Sequence, residues 1–195
     1  QEALEVIVGQ GKKMSAMIAQ LLEMARREKG AGTASREEIH VGAILAGVAE
    51  DLKDLAGEKE ITLQAESEGD PAVWGEQTAF TRIFVNLVTN AIQYGKEGGH
   101  VWLRAWVEED QVLCTVRDDG MGIRAEELSH IFRRFYRADK SRTGRKTAHA
   151  GLGLSMVQNL TEYFGGTIRV DSQEGKGTVF ALYFPALRKP DNPLQ

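Results

Sequence analysis

Residues 76 to 116 narrow the fold most, because a helical repeat there passes directly into two alternating runs. Phe80, Ile83, Phe84, Leu87, Val88 and Ala91 recur at three- and four-residue steps, which predicts one long helix from Glu76 to Tyr94. Gly95, Gly98 and Gly99 stop it. Residues 101 to 107 and 112 to 116 then alternate apolar with polar, and the acidic link 108 to 110 predicts a hairpin between them. Farther on, a helix from about Leu152 to Phe164 leads into strands at 167 to 172 and 178 to 184, turning through Glu174-Gly-Lys-Gly177. Helices interleaved with hairpins predict the α+β class: a two-layer α/β sandwich on a mixed, largely antiparallel sheet. Hairpins supply too many of the strands for a doubly wound parallel sheet.

The rest of the chain fits around that unit. Leu4, Ile7, Gly11, Met14, Ile18, Leu21 and Ala25 form a heptad seam, so the sandwich is preceded by one amphipathic helix. A single apolar stripe cannot bury itself and needs another helix to pack on. A small-residue stretch at 30 to 35 breaks the pattern. Helical spacing resumes with Ile39, Ala43, Leu45, Val48, Leu52 and Leu55 up to Gly57, and Ile61, Leu63 and Ala65 alternate as a strand. The expected organisation is a helix over 1–30, a linker over 31–38, a sandwich domain over 39–186 and a flexible tail over 187–195.

Composition excludes several classes. One cysteine rules out a disulfide scaffold and a cysteine-ligated zinc site. No apolar run reaches the roughly 18 residues of a membrane span. A net charge of −4 gives no reason to expect nucleic acid as a partner. That total hides an asymmetry, because residues 133 to 146 carry seven basic side chains and one acidic, leaving the remainder at −10. A basic run between two glycine motifs reads as an anion-facing lid, although a merely solvated loop has the same composition. Phe135 and Tyr136 anchor Arg137, the best candidate to reach a terminal phosphate.

Three features carry chemistry. Asn86 and Asn90, one turn apart, share a face of an otherwise apolar helix. Their amides suit Mg²⁺ and phosphate, or equally a helix-to-sheet hydrogen bond. Gln93 and Tyr94 extend the same polar edge. Asp118-Asp-Gly120-Met-Gly122 follows a strand, so its first carboxylate can accept from an exocyclic amine such as that of adenine; a simple turn is the alternative. Gly151-Leu152-Gly153-Leu154 opens a helix, where N–H groups are available to phosphate, although an ordinary loop-to-helix junction also uses glycine.

In order, these signatures resemble the catalytic and ATP-binding domain of bacterial sensor histidine kinases, within the class that includes gyrase, MutL and the heat-shock-90 chaperones. Asn86-Leu-Val-Thr-Asn90-Ala-Ile-Gln93-Tyr94 resembles the N box, and Asp118 to Ile123 the G1 box. Ile131-Phe-Arg-Arg-Phe135-Tyr-Arg137 resembles the F box, Gly151 to Leu154 the G2 box, and Gly175-Lys-Gly-Thr178 the closing strand pair. The resemblance implies a Bergerat-type fold, with ATP and Mg²⁺ as cofactors. It implies Asn90 as metal ligand, with Asn86 supporting the phosphates. Asp118, Gly120 and Gly122 fall at the adenine, Ile123 and Thr178 belong to the cofactor-binding set, Tyr94 lines the ribose or base side, and Gln93 adjoins the phosphates. Arg137 and the Gly151, Leu152, Gly153 and Leu154 run fall at the phosphates. Asn90 and Arg137 are the implied catalytic residues.

Residues 4 to 27 also resemble the second helix of the family's dimerisation and phosphotransfer hairpin, whose first helix would carry the phosphoacceptor histidine before an acidic residue. His40, His100, His130 and His149 all precede apolar residues. The chain is therefore expected to be the C-terminal, cytoplasmic portion of a larger sensor, membrane-bound only through segments outside it. It would dimerise through the complete hairpin and pass phosphate to a response-regulator receiver domain. Three positions depart from the family pattern: Gln93 replaces the usual lysine, His149-Ala150 the usual Gly-Thr, and Glu76 the typical aspartate. The alternatives are a protein-serine kinase or ATPase of the same class, and a degenerate nucleotide-sensing module.

Overall fold

The computed structural model describes residues 36–136 and 151–187. The chain divides into two units, Gln1–Ser35 and Arg36–Gln195. The heptad helix expected over 1–30 lies outside the described residues, as do most of the basic run and residues 188–195.

In chain order the elements are β1 (Glu37–His40), α1 (Val41–Asp51), α2 (Lys53–Gly57), β2 (Thr62–Ser67), β3 (Ala72–Gly75), α3 (Gln77–Tyr94), β4 (His100–Glu108) and β5 (Gln111–Asp118). Then follow α4 (Ala125–Leu128), α5 (Gly153–Tyr163), β6 (Thr167–Gln173) and β7 (Gly177–Pro185). The main sheet runs β2-β4-β5-β7-β6, with β2 parallel to β4 and every other pairing antiparallel. A parallel pair needs a crossover, and α3 supplies it between β2 and β4. The mixed, largely antiparallel sheet expected from the hairpins is what forms.

The helices α1, α3 and α5 form the second layer, with α3 in the middle against both neighbours and over β5. Phe80, Ile83, Phe84, Leu87 and Val88 on α3 are fully buried, as are Leu103, Val116 and Leu182 from the strands beneath. The Phe80 ring lies 5.2 Å from that of Phe164 and 4.9 Å from that of Phe184, tying α3 to the end of α5 and to β7. Each such aromatic contributes about 1.5–3 kcal/mol through burial. The opposite sheet face is solvated; Arg117 lies over Trp102 and Arg169 over Tyr183, each 5.2 Å from the ring centroid.

One sequence expectation is corrected near the start. The helix expected from Ile39 begins at Val41, because Glu37–His40 forms β1, paired antiparallel with β3. Ile39 fits the helical period with Ala43, but its backbone registers with Val73. The Val41 N–H donates to the Pro71 carbonyl at 2.9 Å, which fixes the strand-to-helix turn. Glu37 and Glu38 thus leave the stretch read as linker. At the other end, the Leu187 N–H donates to the Ala72 carbonyl at 2.8 Å, holding the chain beyond β7 to the same ribbon.

Candidate functional site

The site is built where the C-terminal half of α3 meets the end of β5 and the start of α5. On α3, Asn86 and Asn90 are half-buried beside the fully buried Leu87 and Val88, so the apolar stripe that seats the helix also aims the amide face. The Asn86 Nδ2 donates to the Arg82 carbonyl at 2.8 Å, which leaves its Oδ1 directed away from its own helix. That oxygen meets α5, where a Cβ added to Gly153 would stand 2.8 Å from it. Among the described residues no side chain caps the start of α5, beside Asn86, and the N–H groups of a helix start suit phosphate. Leu152 is buried and anchors the start of the helix, while Leu154 is half-buried.

The last turn of α3 is held from outside. The Lys59 Nζ donates to the Ile92 and Gln93 carbonyls at 2.8 and 2.6 Å, capping the negative end of the helix. Nothing in the sequence pairs Lys59 with α3, since 33 and 34 residues separate donor and acceptors. Gln93 follows Asn90 on the same face, and its Oε1 is buried with no hydrogen-bond partner among the described residues. Such an atom costs roughly 1–3 kcal/mol unless something outside the protein donates to it. Tyr94 is exposed, and its carbonyl accepts from the Met121 N–H at 3.1 Å, tying α3 to the loop after β5.

Asp118 ends β5 and is 8% exposed. Its Oδ1 accepts from the Gly120 N–H at 2.9 Å, and the Thr178 N–H also donates to the carboxylate. Burial pushes its pKa up, against the pull of these two N–H groups, with neighbouring Asp119 adding to the rise. Asp119 shifts the other way. Burial alone would raise it, but the His100 N–H, the Lys96 ammonium and the His100 ring hold it below the ordinary carboxylate range. The Lys96 Nζ sits 3.1 Å from Asp119 Oδ2, so this cation is placed at the Asp118–Asp119 end of the site.

The loop from Gly120 to Ile123 is clamped between α3 and the β6–β7 hairpin. A Cβ at Gly120 would lie 2.5 Å from the Tyr94 carbonyl, and one at Gly122 would lie 2.0 Å from that of Gln173. The Gly175 N–H donates to the Met121 carbonyl at 2.7 Å, and the Ile123 N–H to Ser172 Oγ at 2.8 Å. Read from sequence, Gly175 and Gly177 form only a turn; in the fold that turn braces the loop after β5. Ser172 and Lys59 escape a sequence reading altogether, because each acts through a partner set by topology.

Of the F-box residues, Ile131 is buried and Phe132 packs edge-on to Phe180 at 6.4 Å. Phe135 is exposed and adopts φ 65°, and its N–H donates to the Gly151 carbonyl at 2.9 Å. The described residues on either side of 137–150 are therefore joined at one point. Arg137 lies outside the described residues. Among the other predicted residues, Asn86 meets Gly153, the Gly120–Ile123 loop meets Tyr94 and Ser172, and Asp118 registers with Thr178.

This fold, with Asn86 against Gly153 and a buried aspartate at the end of β5, points to a class. The chain belongs to the histidine kinase-, DNA gyrase B- and HSP90-like ATPase family, whose model matches residues 75–188. It is similar to the sensor histidine kinase RppB of Synechocystis sp., 33% identical over 188 residues, covering 96% of this chain and 41% of that protein. The sensor histidine kinase YclK of Bacillus subtilis is 31% identical, covering 96% of this chain and 40% of its own length. This chain thus spans about two fifths of those curated relatives. The crystal structure of full-length ShkA in complex with AMPPNP superimposes with a TM-score of 0.80 at 27% identity, over 92% of this chain and 37% of that one.

Proposed function

We propose that this chain is the ATP-binding catalytic part of a sensor histidine kinase, transferring the γ-phosphoryl group of ATP to a histidine on a phosphotransfer helix. The observation that carries this reading is that α3 meets the start of α5 at Asn86 and the turn after Asp118 at Tyr94, since a Cβ on Gly153 would stand 2.8 Å from Asn86 Oδ1 and one on Gly120 2.5 Å from the Tyr94 carbonyl. Three features fit Mg·ATP: a buried acceptor at Gln93 with no donor among the described residues, a Gly153 whose missing Cβ lets the start of α5 approach Asn86 Oδ1, and a buried carboxylate at Asp118. Among the described residues no three His, Cys, Asp or Glu side chains cluster to cage a metal. An amide oxygen from Asn90 together with phosphate oxygens suits a hard cation such as Mg²⁺.

In this reading Asp118 accepts from the adenine amine, with Gly120, Gly122, Ile123 and Thr178 shaping that end. Tyr94 lines the ribose or base side. Asn86, Gln93 and the start of α5, from Gly151 through Leu152 and Gly153 to Leu154, surround the phosphates. The role of Arg137 rests on sequence resemblance alone. Mg²⁺ supplies charge stabilisation on the transferring phosphoryl group. A neutral imidazole nitrogen brings its own lone pair, so the site needs no strong base. As it attacks phosphorus, the bond to the β–γ bridging oxygen breaks and ADP leaves. Catalysis here is positioning and electrostatics. The full-length protein would dimerise through a helical hairpin, keep this part in the cytoplasm and relay the phosphoryl group to a receiver-domain aspartate.

The test is incubation of the chain with γ-labelled Mg·ATP, with and without a histidine-bearing hairpin encoded beside it. Acid-labile label on the hairpin, and none on this chain, is expected. Acid-labile label on one of the chain's own histidines contradicts the reading, and acid-stable label on a serine assigns a protein-serine kinase instead.

A further inference from the structure

Asp118, Thr178 and Ser172 form one cross-strand row at the end of the sheet, since Asp118 registers with Thr178 and Thr178 with Ser172. The Ser172 hydroxyl has three neighbours. The Ile123 N–H donates to it at 2.8 Å, the Gly177 carbonyl lies at 2.9 Å and the Thr178 hydroxyl at 2.9 Å. A serine hydroxyl offers one proton and two lone pairs, so three contacts saturate it. The carbonyl of Gly177 can only accept, so it takes the serine proton. The Ile123 N–H can only donate and occupies one lone pair. The remaining contact forms only if Thr178 gives its own proton to Ser172. Thr178 Oγ1 is then left with lone pairs alone.

We propose that Ser172 is a positioning residue that makes this corner of the site an all-acceptor surface. Asp118 and Thr178 together then read an exocyclic amine and reject a ring carbonyl. Adenine presents two N–H donors at that position; a 6-oxopurine presents an acceptor, which would face lone pairs on both residues. Ser172 acts on the base through Thr178, from the far side of β7, and sets which purine the site prefers. This inference rests on the proposal that Asp118 holds the base.

The test is calorimetric titration of the full chain with Mg·ADP and with Mg·IDP, the inosine analogue. Wild type should prefer ADP. Ser172→Ala returns the Thr178 proton to the pocket, so the ADP-to-IDP affinity ratio should fall by about tenfold, partly through a gain in IDP binding. Ser172→Thr keeps the hydroxyl and should keep the wild-type ratio. A brace with no influence on the base would lower both affinities together, and an unchanged ratio in Ser172→Ala overturns the inference. Thr178→Val provides a check independent of folding in the serine variant. It should weaken ADP binding alone, and a parallel loss of both nucleotides also overturns the inference. A wild type that binds ADP without preferring it over IDP overturns the inference while leaving the ATP site intact. A wild type that binds neither nucleotide overturns the site reading itself.

Discussion

Gly177 lies against Asp118 so closely that a Cβ on the glycine would stand 2.0 Å from the aspartate carbonyl oxygen. Its φ of +100° is also one that L side chains rarely adopt. Gly177→Ala should therefore displace the carboxylate that the site depends on and destabilise the fold by about 2–3 kcal/mol or more. Gly175 in the same turn, at φ +79° but with open space around a Cβ, should cost only about 1 kcal/mol on substitution to alanine. Urea denaturation of both variants checks the ordering, and equal losses would contradict it.

The raised pKa of Asp118 gives nucleotide binding an acid limb. An amine donor favours the ionised carboxylate, so ATP affinity should fall as pH drops through a value above the ordinary 3.8. Stability responds with the opposite sign. Burial destabilises the charged form, so the contribution of this group is fully present below pH 3.8 and is lost as pH rises through the raised value. Asp118→Asn should abolish the acid limb in a binding titration, and persistence of the limb would assign it to another group.

Gln93 stands where the resemblance places a lysine, and its buried Oε1 has no donor among the described residues. Without a cation there, phosphate charge must be met more fully by the metal. Gln93→Lys should raise affinity for metal-free ATP by roughly three- to tenfold, narrowing the gap to Mg·ATP. Fluorescence or calorimetric titration in EDTA measures this, and an unchanged affinity would place Gln93 away from the phosphates.

Phe80 joins three parts of the core through its contacts with Phe164 and Phe184. Gly75 makes room for the ring, since a Cβ there would lie 2.4 Å from it. Phe80→Ala should cost about 3–5 kcal/mol, read from thermal or urea unfolding. Loss of less than about 1 kcal/mol would mean that the core closes around the cavity.

The sequence carries the long helix and the hairpins further than it carries the sheet order. The long helix was bounded to within a residue at its start, because the apolar face of α3 and the glycines after Tyr94 are local signals. The β4–β5 and β6–β7 hairpins were equally local. By contrast, β1 and β3 have four residues each, too few for alternation to show, and Ile39 satisfies a helical period as readily as a strand. The parallel pairing of β2 with β4 depends on a crossover, which periodicity does not encode. The bracing of the Gly120–Ile123 loop by Ser172, the Lys59 cap and the Lys96–Asp119 pair are long-range polar contacts between residues ordinary for their surroundings.

The central claim is that ATP binds at the end of α3 with Asn90 on the metal and Asp118 on the base. Calorimetric titration of wild type, Asn90→Ala and Asp118→Asn with ATP, each with and without Mg²⁺, tests it most directly. The account predicts that Mg²⁺ strengthens binding to wild type, that Asn90→Ala loses that increment, and that Asp118→Asn loses affinity whether or not the metal is present. Wild-type chain with no affinity for ATP, or Asn90→Ala with the full Mg²⁺ increment, would contradict it.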